Sequence, residues 1–108
     1  MRHLSSRPRR WRVAGSAGIH FLDDETAELK RVWVRPAHRG TGVAEALLGR
    51  ALDAARALGA GRVVLETEPD VMARAVTMYR RLGFREGPRY SSLSERVPSL
   101  LTMEKRVA

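Results

Sequence analysis

Apolar positions recur along this chain at two spacings, and each spacing predicts a different element. Ala44, Leu47, Leu48, Ala51, Leu52, Ala55 and Leu58 fall on one helix face, while Glu45, Arg50, Asp53 and Arg56 fall outside it. That predicts a helix over 41–58, ended by Gly59 and Gly61. Val71, Ala75, Val76, Tyr79 and Leu82 repeat the helical spacing, with Asp70 as the expected N-cap and Gly83 as the stop. Between the two helices, residues 62–67 read as a short buried strand. A helical crossover makes that strand parallel to the one before it. Upstream, 13–22 and 27–34 are strand-like and joined by a hairpin turn at Asp23-Asp24-Glu25-Thr26. Within 27–34, Leu29 has one parity and Glu28, Lys30, Val32 and Val34 the other, so Glu28 shares a face with the valines unless a bulge intervenes. Trp33 opposes them and is expected beneath a helix. Downstream, Phe84 opens a short strand that Gly87-Pro88 breaks, residues 89–98 read as loop, and 99–107 as a last strand. The expected fold class is α/β, with a mixed, mostly antiparallel sheet and two principal helices.

One crossing in this pattern carries chemistry. Val32-Trp33-Val34 suits a buried strand, and Pro36 stops it because proline has no ladder donor. Gly40 and Gly42 allow a tight turn and a close approach of another molecule to the backbone. The helix begins at once, so its unpaired N–H groups and positive dipole end face the turn. That arrangement suits an anion, phosphate above all. The glycine spacing does not make the dinucleotide-binding G-x-G-x-x-G, since the third glycine is absent, and no G-K-S/T follows.

Composition narrows the classes. The 108 residues suit one domain or part of one, 44% hydrophobic, so a modest core is attainable. Cys 0 excludes disulfides, thiolate metal sites and a cysteine nucleophile. His3, His20 and His38 lack metal-ligand spacing, and His38 reads as a solvent-facing turn residue. No apolar run approaches the length of a membrane span, and no apolar stretch follows the N-terminal arginines as a secretory signal requires, so a cytoplasmic location is expected. The net charge is +8, and Arg2, Arg7, Arg9, Arg10 and Arg12 supply five positive charges with no acid among the first twelve residues. Residues 1–12 are expected to be a basic, disordered tail before a folded domain over 13–108. A nucleic-acid arm is the competing reading, in which Trp11 offers a lone stacking ring.

The crossing resembles the GNAT superfamily of acetyl-coenzyme-A-dependent acyltransferases. Arg39-Gly40-Thr41-Gly42-Val43-Ala44 fits that family's Q/R-x-x-G-x-G/A opening a helix, and Ala75, Tyr79, Gly83 and Phe84 fit its A-x-x-x-Y-x-x-x-G-F. The surroundings Leu29-Lys30-Arg31, Val34-Arg35-Pro36 and Met103-Glu104-Lys105 are also similar. The resemblance covers roughly 15–106. It implies a GNAT-like fold in which a splayed parallel strand pair admits the pantetheine arm of acetyl-CoA along the backbone of Val32, Trp33 and Val34. The amides of Arg39, Gly40, Thr41, Gly42, Val43 and Ala44 would then hold the pyrophosphate, and the Thr41 hydroxyl could assist.

The same resemblance implies direct attack of an amine on the bound thioester, with an oxyanion-stabilising N–H near Val34. It casts Tyr79 as general acid and Glu28 as base, direct or through water. On the residues alone Tyr79 reads as a core tyrosine on the stripe with Val76 and Leu82. Glu28 alone reads equally well as a salt-bridged strand carboxylate, and Glu66 on the next strand is the second candidate. Arg80 and Arg81 read as a solvated helix end, though one could reach the coenzyme's ribose phosphate.

Family members are usually longer, and no counterpart of their first strand and early helices is expected in 1–12. Met72 also stands where many members have asparagine. A sheet edge left open in this way invites strand pairing, so a homodimer is expected. The expected function is N-acetyl transfer from acetyl-CoA to a small-molecule amine. The alternatives are a shortened relative that binds coenzyme A without catalysis, and a basic nucleic-acid-binding module. No membrane partner is expected.

Overall fold

The computed structural model describes residues 2–6, 15–34, 40, 42–70 and 72–108. Its elements are β1 (Arg2–Ser6), β2 (Gly15–Phe21), β3 (Thr26–Val34), α1 (Val43–Ala57), β4 (Arg62–Thr67), α2 (Ala73–Arg81), β5 (Arg85–Glu86), α3 (Ser92–Arg96) and β6 (Leu101–Arg106). The sheet order is β1-β2-β3-β4-β6-β5, and β3–β4 is its parallel pair. The mixed, mostly antiparallel α/β architecture is therefore the expected one.

The hairpin between β2 and β3 closes as an Asx turn. One Asp23 carboxylate oxygen accepts the N–H groups of Glu25 and Thr26 at 2.8 and 2.7 Å. These bonds hold the Asp23 carboxyl below the usual carboxylate range. Helix α1 buries Leu47, Leu48, Ala51 and Ala55, the stripe its periodicity predicted. They pack with Ala27 and Leu29 of β3, Val63 and Leu65 of β4, Met103 of β6, and Tyr79 and Phe84. Strand β4 is buried on both faces at Val63, Val64 and Leu65, as its unbroken apolar run requires.

Four expectations are corrected here. Arg2–Ser6 is not tail: it pairs antiparallel with β2 from Arg2↔Ile19 to Ser6↔Gly15. Strand pairing is made by backbone groups, which an aperiodic side-chain pattern does not reveal. The sheet edge expected at β2 is thus covered, and β1 forms the edge. Second, Asp70 does not cap α2; the N-cap is Met72, without a side-chain hydrogen bond. Third, the segment 89–98 includes helix α3, a turn whose Ser94 is fully buried.

The fourth correction bears on the site. Pairing runs Ile19↔Leu29 and Gly18↔Lys30, then resumes at Ser16↔Trp33, so β3 carries one extra residue between Lys30 and Trp33. Such a bulge reverses side-chain parity beyond it. Val32 therefore joins Leu29 against the core, and Glu28 does not share its face. Trp33, expected beneath a helix, is 43% exposed.

Candidate active site at the splayed strand pair

The turn before α1 has the backbone its glycines predict. Gly40 and Gly42 adopt φ of 78° and 85°, the left-handed region that a side chain disfavours. A Cβ on either would meet nothing within 4 Å, so the turn faces open space. Gly42 is the N-cap of α1, and no side chain caps the helix. The first intrahelical donor is Ala46 N–H to Gly42 O at 3.0 Å, which leaves the preceding N–H groups of the first turn, Val43 and Ala44 among them, without an intrahelical acceptor. Arg39 and Thr41 lie outside the described residues. Glu45 would oppose an anion in the first turn, but the Arg81 guanidinium pairs with it at 3.3 Å. That ion pair shows the end of α2 lying close to the first turn of α1.

Strands β3 and β4 pair at only three positions, Thr26↔Arg62, Ala27↔Val63 and Glu28↔Val64. Beyond Glu28 and Val64 they part, so the backbone of Val32–Val34 is not paired to β4. The parting lies toward the C-terminal ends of both strands, where the connection into α1 begins. Ligands of α/β sheets bind at such ends. A concavity of about 640 Å³ near Phe21, Asp23 and Leu58 lies at the other end and holds none of the candidate residues.

Tyr79 is 6% exposed on α2. The glycine-aromatic motif that contains it proves to be a helix cap: Phe84 N–H donates to Tyr79 O at 2.9 Å and Gly83 N–H to Arg80 O at 3.0 Å, with Gly83 at φ 97°. This is a Schellman arrangement, and its usual apolar contact is Phe84 edge-on to Tyr79 at 5.7 Å. Burial pushes the Tyr79 phenol above its ordinary value. Its hydroxyl makes no hydrogen bond to a described residue. The residue is therefore both the core tyrosine of one reading and an unengaged proton donor.

Glu28 sits at the last paired position, 5% exposed, on the sheet face opposite Tyr79 and α1. Both its oxygens are engaged: the Tyr90 hydroxyl donates to Oε2 at 2.5 Å, and the Lys30 ammonium stands 3.4 Å from Oε1. Tyr90 is pushed well above the usual phenol range by burial and by the Glu28 carboxylate it serves. Register places Glu66, Thr102 and Glu104 on the same face. The Ser91 hydroxyl donates to Glu66 at 2.5 Å, and Ser99 donates to Glu68 at 2.6 Å. Glu28 and Tyr79 form no bond with each other.

The partners Tyr90, Ser91 and Ser99 had no helical or strand period to single them out. The available signal was compositional, a hydroxyl-rich run from Tyr90 to Ser99 after the Gly87-Pro88 break.

Comparison with known proteins gives a consistent answer. The profile of the acetyltransferase (GNAT) family matches residues 8–84. Streptothricin acetyltransferase of Streptomyces lavendulae is 37% identical over 73 residues, 67% of this chain and 38% of that protein. The chain thus spans about two-fifths of that relative's length. A solved acyl-CoA N-acyltransferase candidate of Klebsiella pneumoniae superposes with a TM-score of 0.90 at 26% identity, covering 98% of this chain and 72% of the other. The yncA acetyltransferase candidate of Salmonella typhimurium, solved with its cofactor acetyl-CoA, shares the fold with a TM-score of 0.73 at 24% identity, over 94% of this chain and 62% of that one.

Proposed function

The chain belongs to the acetyltransferase (GNAT) family, and on that premise we propose that it transfers acetyl from acetyl-CoA to the amine of a small molecule. The observation that carries the reading is the parting of β3 and β4 beside a helix start that no side chain caps. The pyrophosphate would rest on the amides from Arg39 to Ala44, with the Thr41 hydroxyl assisting. The pantetheine arm would lie in the gap, bonded to the backbone of Val32–Val34 on the side that faces β4. The yncA neighbour, solved with acetyl-CoA, supports the choice of coenzyme.

The reaction is direct. The acceptor nitrogen bonds to the thioester carbonyl carbon, the C–S bond breaks, and the coenzyme leaves as its thiolate. Glu28 takes the proton from the acceptor ammonium, directly or through water, and an N–H near Val34 steadies the developing oxyanion. Tyr79 donates the proton that the thiolate receives, and the second N–H proton, shed as the amide forms, passes through water to restore the phenol. A free thiol has a pKa of about 8.5 and a phenol about 10. Burial raises the phenol further, so the transfer is uphill and positioning must compensate. The same shift keeps Tyr79 protonated through the neutral range.

Calorimetry with acetyl-CoA, followed by thiol release against a panel of primary amines, tests this reading. We expect saturable one-to-one binding and release of free thiol with at least one amine. Binding without thiol release would favour a coenzyme-binding relative without catalysis. No acetyl-CoA binding, with a nucleic-acid affinity that falls steeply with salt, would favour the basic-module reading instead.

A further inference from the structure

Only two of the chain's 20 Lys and Arg residues are lysines, Lys30 and Lys105. The difference is chemical. A guanidinium keeps its proton in proteins, whereas a lysine ammonium can lose one and become a nucleophilic amine. Lys105 stands on the helix-bearing face of the sheet, opposite Val63 in the ladder, and its Nζ lies against Gly83, just past the end of α2. Lys30 stands on the other face, where β3 and β4 part.

Its surroundings are those of an acceptor. Glu28 is the last residue of β3 paired to β4, and Lys30 is the next residue along β3 on the same face. The Tyr90 hydroxyl occupies Glu28 Oε2 at 2.5 Å. That leaves Oε1 for an amine, and Lys30 Nζ stands 3.4 Å from it. The Lys30 side chain is 51% exposed against 6% for Glu28, so a flexible stem with room to swing meets a fixed carboxylate. Val32, whose backbone no longer pairs with β4, is two residues or about 7 Å further along the strand, a distance of the order that a four-carbon stem covers. An amine tethered there needs no route into the site.

We propose that Lys30 is itself an acyl acceptor, so that the protein acetylates its own Lys30 when no external amine fills the site. This rests on the acetyltransferase reading, which puts the acceptor nitrogen at Glu28. Glu28 takes a proton from the ammonium and later yields it to water. Nζ bonds to the thioester carbonyl carbon, and the C–S bond breaks. The coenzyme leaves as its thiolate and receives a proton from Tyr79, while the second Nζ proton passes through water to restore the phenol. The products are one acetylated Lys30 and one free coenzyme thiol, with no further reactant. An external amine and Lys30 compete, because both need Oε1.

The test is incubation of the full chain with acetyl-CoA and no amine, read by peptide mass spectrometry and thiol release. Acetyl should accumulate on Lys30 toward one per chain, with an equal amount of thiol. It should do so about a hundredfold faster than on Lys105, whose modification measures uncatalysed transfer from the thioester. The half-time should not change with protein concentration, as an intramolecular step requires. Lys30→Arg, which keeps the ion pair, should release no thiol beyond the Lys105 background. Glu28→Gln, nearly isosteric, should bring the Lys30 rate down to that of Lys105. In the wild type, any primary amine that is turned over should protect Lys30 as it saturates the site. Equal rates at the two lysines overturn the inference, as does a Lys30 rate that neither Glu28→Gln nor a turned-over amine lowers. A half-time that shortens with protein concentration overturns the intramolecular step. Amines acetylated while Lys30 stays unmodified sink only this inference. No acetyl-CoA binding by calorimetry sinks the acetyltransferase reading and this inference with it.

Discussion

At the glycine turn the polar groups are main-chain amides left without an intrahelical acceptor, whereas across the sheet they are carboxylates held by hydroxyls from a distant segment. The first region runs from Gly40 to Ala44 and is complete within a few residues of chain. The second joins Glu28, Glu66 and Glu68 to Tyr90, Ser91 and Ser99, separated by as many as 62 positions. Backbone sites are insensitive to most side-chain changes and fail where the turn itself is altered. Side-chain sites fail at a single polar atom. The two tyrosines show the same division. Tyr79 keeps its hydroxyl without a hydrogen bond to any described residue, while that of Tyr90 is committed to Glu28.

The largest expected effect probes that division at Tyr79. On the proposed mechanism Tyr79→Phe should lower kcat by about a hundredfold or more, within the usual range for loss of a general acid. Acetyl-CoA affinity should hold, because the ring contact with Phe84 is retained. Stopped thiol release with intact calorimetric binding is the signature, and unchanged kcat removes Tyr79 from the mechanism.

A smaller effect contrasts two glycines on either side of the helix start. Gly42→Ala places a Cβ at a φ of 85°, a strain of about 1–2 kcal/mol, and should weaken acetyl-CoA binding by about tenfold. Gly49→Ala, within α1 and with open space around it, should raise stability by about 0.5–1 kcal/mol and leave binding alone. Calorimetry and thermal melting on both variants distinguish a backbone requirement from a general dislike of bulk. Equal binding by Gly42→Ala and wild type would break the comparison.

The smallest expected effect is alkaline. Tyr79 and Tyr90 both have folded pKa values raised above the ordinary phenol value of about 10. Each therefore holds its proton more tightly folded than unfolded. The stability these two phenols contribute should be fully present below about pH 10 and be lost as pH rises beyond it. Tyr90→Phe should shallow that fall in a melting-temperature series from neutral to strongly alkaline pH. An identical slope in the variant would show that Tyr90 does not contribute to it.

Much of the fold was legible because it is written locally. The stripe of α1 and the Asp23 turn each depend on residues a few positions apart, and both formed as their spacing predicts. The Tyr79–Phe84 motif was legible as a pattern, but its meaning as a helix cap needed the hydrogen bonds. The bulge in β3 was not legible, since one extra residue leaves no mark on composition and yet moves Val32 away from the face of Glu28. Strand β1 was missed because backbone pairing, not side-chain period, makes it.

The amino-acid order alone determined where α1 starts, where α1 and α2 stop, and where an anion could meet amides without an intrahelical acceptor, because glycine conformation and helix-end dipoles act over a few residues. Tertiary structure decided what each carboxylate faces. The environment of Glu28, Glu66 and Glu68 depends on strand register and on a loop returning from far along the chain, and a buried charge is governed by whatever the fold brings within a few ångströms of it.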